Sequence, residues 1–329
     1  MEDLTNFLAA IGEEVEDAEE ESFLLFAQDI PSANLGFVDS RATTLDIAIH
    51  GHDYTIHQSP TLLSSSRAGG TTGAVLWKIT PLFAEWISAL HSNPLWRHAL
   101  LTPSSTVVEL GCGISGLIAL ALAPAVRHYI ATDQDYVQRL LRTNLDANAN
   151  ASAPAARRKP TPSGRKRAAP KSSTAAASPA NITFTTLDWE LDVAASLKES
   201  VQLAPAADGA ADDLDDRGFD LLLSCDCIYN EALVAPFVRA CAEICGLRPA
   251  YTPASEMPTA PTRRPTICII AQQQRSPDVF EAWLLEAMKV FRVWRVRDEV
   301  LGPKLQHGSG YLVHLLLLRE QPLPGRGGR

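Results

Sequence analysis

Between Thr106 and Gly116 a short apolar run, T-V-V-E-L, passes directly into G-C-G-I-S-G. No other feature constrains the fold as much. Five residues of this composition suit a buried strand. Gly111 and Gly113 permit positive φ and a close backbone approach at the exit from that strand. Gly116 lets a helix pack against it, and Leu117 to Ala123 reads as that helix, stopped by Pro124. Strand, glycine turn and helix in succession belong to an open α/β sheet. The opening of the helix is expected to present unpaired N–H groups, a ready anion site. The G-x-G-x-x-G spacing is shared with dinucleotide-binding folds, so the turn alone leaves its ligand open.

The same alternation continues along the chain. Leu45–Ile49 and Tyr54–His57 flank a Gly-containing turn and predict a hairpin. Leu76–Leu90 predicts an amphipathic helix containing Pro81. His128–Thr132, Asn181–Leu187, Phe219–Cys225 and Thr266–Ala271 read as strands. Tyr136–Ala149, Leu233–Ile244 and Val279–Lys289 carry helical spacing. Phe291–Val296 and Leu312–Leu318 close the series without a helix between them. They predict an antiparallel pair at the sheet edge, joined by the loop Leu301–Gly310. The expected architecture is a mostly parallel, Rossmann-like sheet covered on both faces. Ligands bind at the carboxyl ends of such strands, near the topological switch point.

Composition narrows the function. The chain has 329 residues, 46% of them apolar, and carries 29 basic against 38 acidic residues. A formal charge of −9 excludes a globally basic nucleic-acid coat. No apolar run approaches a membrane span, and the acidic start lacks the basic n-region of a signal peptide. Six cysteines without a C-x-x-C pair predict neither a disulfide scaffold nor structural zinc. His50, His52 and His57 cluster around the hairpin and read as surface or core histidines. The expectation is a cytoplasmic, monomeric enzyme with no membrane partner.

Several segments look unable to offset their ordering entropy. Glu13 to Glu21 hold seven acids in nine residues. Ala151–Ala180 carry seven Lys or Arg and no acid. Ala204–Gly218, Leu247–Arg264 and the tail from Gln321 are equally poor in core-forming residues. The predicted organisation is an acidic, partly disordered stretch over 1–35, a hairpin-and-helix extension over 36–100, and a core over 101–320 carrying three inserts. In the basic insert, Arg157-Arg-Lys159 and Arg165-Lys-Arg167 read as a solvated linker, a bipartite nuclear signal or an RNA-contacting arm. Nucleic-acid contact is expected only there.

Three features favour a methyl-donor site over a dinucleotide site. Glu109 stands two residues before Gly111, where an acid would face the amino group of a methionine moiety and sit badly beside a pyrophosphate. The glycine turn lies behind about 100 residues, whereas dinucleotide domains often begin with it. The closing strand pair lacks a crossover helix. Asp133, ending Ile130-Ala-Thr-Asp133, can accept from both ribose hydroxyls or cap the following helix. Asp188 can meet an adenine amino group, and Trp189 can line or stack on the ring or simply belong to the core.

Together V-V-E-L-G-C-G-I-S-G, A-T-D, L-D-W and S-C-D-C-I-Y resemble the seven-strand methyltransferases of family 16, which includes protein-lysine methyltransferases. Gly73-Ala-Val-Leu-Trp77 matches that family's G-x-x-x-W segment. A narrower likeness, in Ile56-His-Gln-Ser-Pro-Thr-Leu-Leu-Ser and Gly70-Thr-Thr-Gly-Ala-Val-Leu-Trp-Lys78, is to the fungal ribosomal lysine N-methyltransferase 5 group. The resemblance runs from Gly36 to Arg319 outside the inserts. It implies an S-adenosyl-L-methionine site lined by Trp77, Gly111, Cys112, Gly113, Asp133, Trp189 and Cys225. It also implies a protein substrate, a large-subunit ribosomal protein. For the catalytic pair it implies Asp226 and Tyr229, one helical turn apart, the first aligning the amine and the second lining the lysine channel. Asp226 can alternatively cap a helix, and Tyr229 can be rim packing. The tetrapeptide Asp-Cys-Ile-Tyr lacks the prolines of amide and base methylases, which favours an aliphatic amine. A same-fold enzyme acting on RNA or a small metabolite, a non-catalytic adaptor and a nicotinamide oxidoreductase are the alternatives.

Overall fold

The computed structural model describes residues 2–31, 35–65, 70–149, 179–200, 216–253 and 263–320. Most of the three inserts, including the basic motifs, and the tail lie outside the described residues. Helix α1 (Glu2–Ile11) leads into the short strand β1 (Gly12–Glu14) and α2 (Ala18–Phe26). The hairpin β2 (Thr44–Ile49) and β3 (His52–His57) forms its own two-stranded sheet, as expected. One-turn α3 (Pro60–Leu63), then α4 (Ile79–Ile87) and one-turn α5 (Pro94–Arg97), precede the core. The core begins with β4 (Thr106–Leu110), α6 (Leu117–Leu122), β5 (His128–Asp133), α7 (Gln138–Asn148) and β6 (Ile182–Thr186). It continues with α8 (Leu197–Ser200), β7 (Leu221–Cys225), α9 (Val234–Cys245), β8 (Ile267–Gln273) and α10 (Pro277–Val290). Strand β9 (Phe291–Val296), one-turn α11 (Asp298–Leu301) and β10 (Tyr311–Leu318) complete it.

The large sheet runs β1-β9-β10-β8-β7-β4-β5-β6. Strands β4 to β8 are parallel to their neighbours, and β10 runs antiparallel between β8 and β9. Setting β1 aside, this is the expected seven-strand sheet with an antiparallel closing pair. Every residue of β4 and β7 is buried, which is why both read as continuous apolar runs. Alternation sends Val107 to the face covered by α4, α6 and α7, and Val108 and Leu110 to the face covered by α2, α9 and α10. Among the described residues no helix is long and apolar enough to cross a membrane.

The hairpin is wired to the core through two asparagines. Asn144 and Asn148, one turn apart on the buried side of α7, present their amides to the free edge of β3. Asn144 accepts from His57 N (2.7 Å) and donates to His57 O (2.9 Å). Asn148 does the same with Thr55 (2.9 Å each way). The helix thereby satisfies a strand edge that would otherwise stand open. Immediately after β3, Gln58 accepts from Leu76 N (3.0 Å) and Ser59 N donates to Ala74 O (2.9 Å). These bonds hold the 70–77 segment over the glycine turn.

Two expectations are corrected. The acidic stretch Glu13 to Glu21 is folded into β1 and α2. Its counter-charges are remote in sequence, so no local window reveals them. Arg292 forks onto Glu14 (2.5 and 2.6 Å), and Arg295 reaches Glu21 (3.0 Å) and Glu13 (3.3 Å). Asp17 caps α2 by accepting from Glu20 N (2.9 Å). The closing strand pair is also not at the edge: β10 is interior, and β1 pairs with β9 to cover it.

The inserts are anchored where they meet the core. Buried Asp216 receives Arg248 (2.7 Å) and Arg263 (2.9 Å), and Arg248 also holds Asp220 (2.9 Å). The ends of the 204–218 and 247–264 segments are therefore ordered, contrary to the composition reading.

Replacing Glu21 by Ala leaves buried His314 without its carboxylate and Arg295 with the longer contact to Glu13 alone. The expected loss is about 2 kcal/mol or more, whereas exposed Glu19→Ala is expected to stay within about 0.5 kcal/mol. Urea denaturation midpoints of the two variants check this.

Candidate functional site

Strands β4 and β7 are neighbours at the centre of the sheet. From β4 the chain proceeds through β5 and β6 on one side, and from β7 to β8 on the other. This is the switch point, where a crevice opens at the strands' carboxyl ends. The glycine turn after β4 and the loop after β7 both open into one cleft of about 950 Å³, counted to its mouth. Its lining includes Trp77, Glu109, Gly111, Cys112, Gly113, Asp133, Asp188, Trp189, Cys225, Asp226 and Tyr229, so all the site residues expected from sequence are brought together.

The glycine turn differs from the expected anion nest. Its successive amides are already committed. Gly111 N and Cys112 N both donate to Thr132 O (2.9 and 3.0 Å), and Ile114 N donates to Gly73 O (2.9 Å). Gly113 N donates to the Asp133 carboxylate (2.8 Å). A pyrophosphate would find no donor among these four, which argues against the dinucleotide reading. The glycines serve close packing. Gly111 has φ +72°, and a Cβ there would lie 2.3 Å from Cys227 Sγ.

What the cleft does present is acid. Glu109 is buried on β4, with Oε2 accepting from the hydroxyl of buried Tyr129 (2.7 Å). Burial pushes its carboxyl up to about 7; the Tyr129 hydrogen bond opposes the rise, and the charge of Asp133 adds to it. Asp133 is pushed up to about 6 by burial, against the pull of two main-chain amides, Gly113 and Gln134. Each of its oxygens takes one amide and keeps a lone pair for a further donor. The following helical turn is capped from Gln134 and makes no side-chain cap bond, so Asp133 is not a helix cap. Asp188 folds back in a tight turn, Oδ1 accepting from Glu190 N (2.9 Å). Trp189 packs edge-on against Phe237 with centroids 5.0 Å apart. Its Nε1 is buried with no hydrogen-bond partner among the described residues.

At the other end, Asp226 adopts φ +63° directly after β7, and the chain continues as a loop to Asn230. Asp226 and Tyr229 are therefore not one helical turn apart, and the cap of the next helical turn is Asn230. Cys225 ends β7 and packs with the cluster under α4 and α6, while Cys227, in the loop beyond, packs with the cluster under α9 and α10; both residues line the cleft. Burial pushes the thiols of Cys112, Cys225 and Cys227 up, so they remain protonated and serve as small apolar lining. The Asp226 carboxylate is not free to hold an amine. Arg275 takes both oxygens (3.1 and 2.5 Å), and Gln273 N donates to Oδ1 (3.2 Å). The guanidinium also lies 4.4 Å from the Trp77 ring centroid. Tyr229 is 38% exposed at the mouth, with its hydroxyl 3.4 Å from Thr72 Oγ1.

Sequence reasoning missed Thr72, Tyr136, Cys227 and Arg275. Tyr136 accepts from Gly73 N (3.2 Å) and so locks the 70–77 segment onto the cleft. Its position three residues after Asp133 was the available signal. Arg275 has no local signal, because its partners Asp226 and Trp77 come from distant segments.

The family described as lysine methyltransferase matches residues 56–160. A Schizosaccharomyces pombe protein named diaminohydroxyphosphoribosylamino-pyrimidine deaminase is 37% identical over 139 residues, covering 42% of this chain and 33% of that protein. A ribosomal lysine N-methyltransferase 5 from Zygosaccharomyces rouxii is 40% identical over 111 residues, covering 30% of this chain and 34% of the relative. The protein of the same name from Vanderwaltozyma polyspora is 26% identical over 304 residues, covering 82% of this chain and 87% of the relative. The chain thus spans about a third of the length of the first two relatives and most of the third. Sheet and cleft are those of the mostly parallel, Rossmann-like seven-strand architecture expected from the sequence. The resemblance to family 16 read from the motifs is borne out, with the likeness to the ribosomal lysine N-methyltransferase 5 proteins extending along most of the chain.

Gly111→Ala introduces both positive-φ strain and a clash with Cys227, whereas a Cβ added at Gly302 (φ +70°) would meet nothing within 4 Å. The expected loss is about 1–2 kcal/mol at Gly302, where only strain acts, and clearly more at Gly111. Thermal denaturation of the two variants tests the difference.

Proposed function

We propose that this protein is an S-adenosyl-L-methionine-dependent protein-lysine N-methyltransferase whose acceptor is a large-subunit ribosomal protein. The observation that carries the reading is a single switch-point cleft lined by acids, beneath a glycine turn whose amides are spent. Such a cleft suits a cationic nucleoside and not a phosphate. The likeness to the Vanderwaltozyma polyspora ribosomal lysine N-methyltransferase 5 over 87% of its length supports the acceptor class. The deaminase name of the Schizosaccharomyces pombe relative implies other chemistry. Zinc deaminases use a P-C-x-x-C pair, and this chain has no C-x-x-C.

The residues present fit the donor. Glu109 keeps Oε1 for an ammonium, Asp133 keeps lone pairs for ribose hydroxyls, and the Trp189 ring lines the cleft beside them. Asp188, Cys112 and Cys225 complete the lining. When bound, the donor supplies a methyl group activated on a sulfonium. The chain's own work is to bring a neutral amine into line with it. Because Arg275 offsets the Asp226 charge, this pair does not trap an ammonium. Asp226 acts instead by fixing Arg275 against Trp77, which shapes the channel wall. Trp77 and Tyr229 offer aromatic surface that desolvates the incoming side chain, and desolvation favours the neutral amine. The proton leaves to water at the open mouth beside Tyr229.

The reading is tested by incubating pure protein with methyl-labelled donor and salt-washed large ribosomal subunits. Label on lysine of a ribosomal protein is expected. Label confined to RNA or to small molecules would refute it.

Donor binding should also depend on pH. An ammonium beside Glu109 favours its ionised form, so below about 7 each binding event must expel a proton. The dissociation constant, measured by calorimetry, is expected to rise by up to roughly tenfold per pH unit as pH falls below that value. Glu109→Gln should weaken binding and flatten this limb.

A further inference from the structure

Beside the cleft lies a second, smaller depression that the donor site does not use. It is a pit of about 260 Å³ walled by Phe26 of α2, Val279 and Phe280 of α10, and Ile228 and Tyr229 of the loop after β7. Gln272 also lines it. This residue is 2% exposed, and its Nε2 has no hydrogen-bond partner among the described residues. Gln273, Arg275 and Ser276 also line it, so the pit sets an apolar wall beside polar groups. Tyr229 lines both the pit and the cleft, so the two adjoin at this residue.

The surface beyond the pit is the outer face of α2. Phe23 is 77% exposed and Leu24 46% exposed, one turn from Phe26 at the pit wall. Helical spacing continues this face back to Glu19 and Glu20 in the first turn of α2, and Glu16 lies exposed just before the helix. Their carboxylates form no ion pair among the described residues, unlike those of Glu13, Glu14 and Glu21. The helix is firmly seated. Gln274 donates to Leu25 O (2.8 Å), and Glu21 is held by Arg295. A fixed helix that exposes two large apolar side chains and two unpaired acids, with a third acid just before it, marks an interaction surface.

We propose that this strip, from the Gln272 pit across Phe23 and Leu24 to Glu16, Glu19 and Glu20, is the docking surface for the protein acceptor. The inference rests on the lysine methyltransferase reading. The occupant is a basic segment of the acceptor chain. An apolar side chain near the target lysine packs on the pit's apolar wall, and flanking Lys or Arg residues lie over Glu16, Glu19 and Glu20. Tyr229, shared by pit and cleft, places this segment beside the mouth through which its lysine would enter. The charge of the strip fits a basic protein and opposes RNA.

The test uses the full chain, labelled donor and salt-washed large ribosomal subunits. The surface variants are Phe23→Ser with Leu24→Ser, and Glu16→Lys with Glu19→Lys and Glu20→Lys. Val279→Trp fills the pit. Each is expected to raise the KM for subunits by about tenfold or more, with kcat and donor affinity little changed. The charge-reversal effect should be largest at low salt. Unchanged KM in both surface variants overturns the proposal, as does a lowered KM on charge reversal, which would indicate an acidic partner such as RNA. If deletion of residues 151–180 lowers KM and erases the charge-reversal effect, the chain's own basic segment is the occupant and the proposal fails. A wild-type protein that binds donor but labels no protein refutes the lysine reading itself, and the docking surface with it.

Discussion

The main-chain carbonyl of Thr132 accepts two amides, Gly111 N and Cys112 N, while its hydroxyl donates to Glu109 O (2.8 Å). This staple between the ends of β4 and β5 sets the rest of the site. It turns the chain sharply out of β4, brings Gly113 N onto the Asp133 carboxylate, and leaves Glu109 buried beneath the turn. The two acids are thus fixed before any ligand arrives. Preorganised charge in a low-dielectric crevice acts more strongly than the same charge in water. The cost appears in the carboxyls themselves, both pushed up by burial and so favouring a cationic ligand that relieves them.

The roof of the cleft depends on a second chain of hydrogen bonds. Asn144 and Asn148 bind β3, Gln58 binds Leu76, and Tyr136 with Ile114 N holds Gly73. Each link uses a polar side chain or amide that would be expensive to bury unpaired. The hairpin extension and the core are therefore one structure as far as the site is concerned. Trp77 reaches its place above Arg275 only because this chain of contacts is unbroken.

Local pattern carries much of this architecture. The runs T-V-V-E-L and F-R-V-W-R-V match β4 and β9 to the residue, because a strand buried on both faces, or packed tightly on one, leaves an apolar signature that neighbours in sequence share. Most of the site residues are legible for the same reason, since Glu109, Gly111, Asp133, Asp188, Trp189, Cys225 and Asp226 lie at or just past strand ends, whereas Trp77 precedes α4. The acidic stretch before α2 misleads because its seven acids look self-repulsive until Arg292 and Arg295 are laid beside them. Asp226 reads as a free carboxylate because Arg275, its partner, lies 49 positions away. The amides of the glycine turn look open because their acceptors, Thr132 O and Gly73 O, belong to other segments.

The sequence by itself determined the order of strands and helices, the place of the glycine turn and the acids that follow each strand. These depend on side-chain periodicity and backbone freedom, which act over a few residues. Only the tertiary structure decided which charges are neutralised, which amides are spent, and which face of α2 stays uncovered. Those outcomes depend on distances between groups far apart in the chain, and Coulombic and hydrogen-bonding partners are chosen by the folded geometry rather than by sequence proximity.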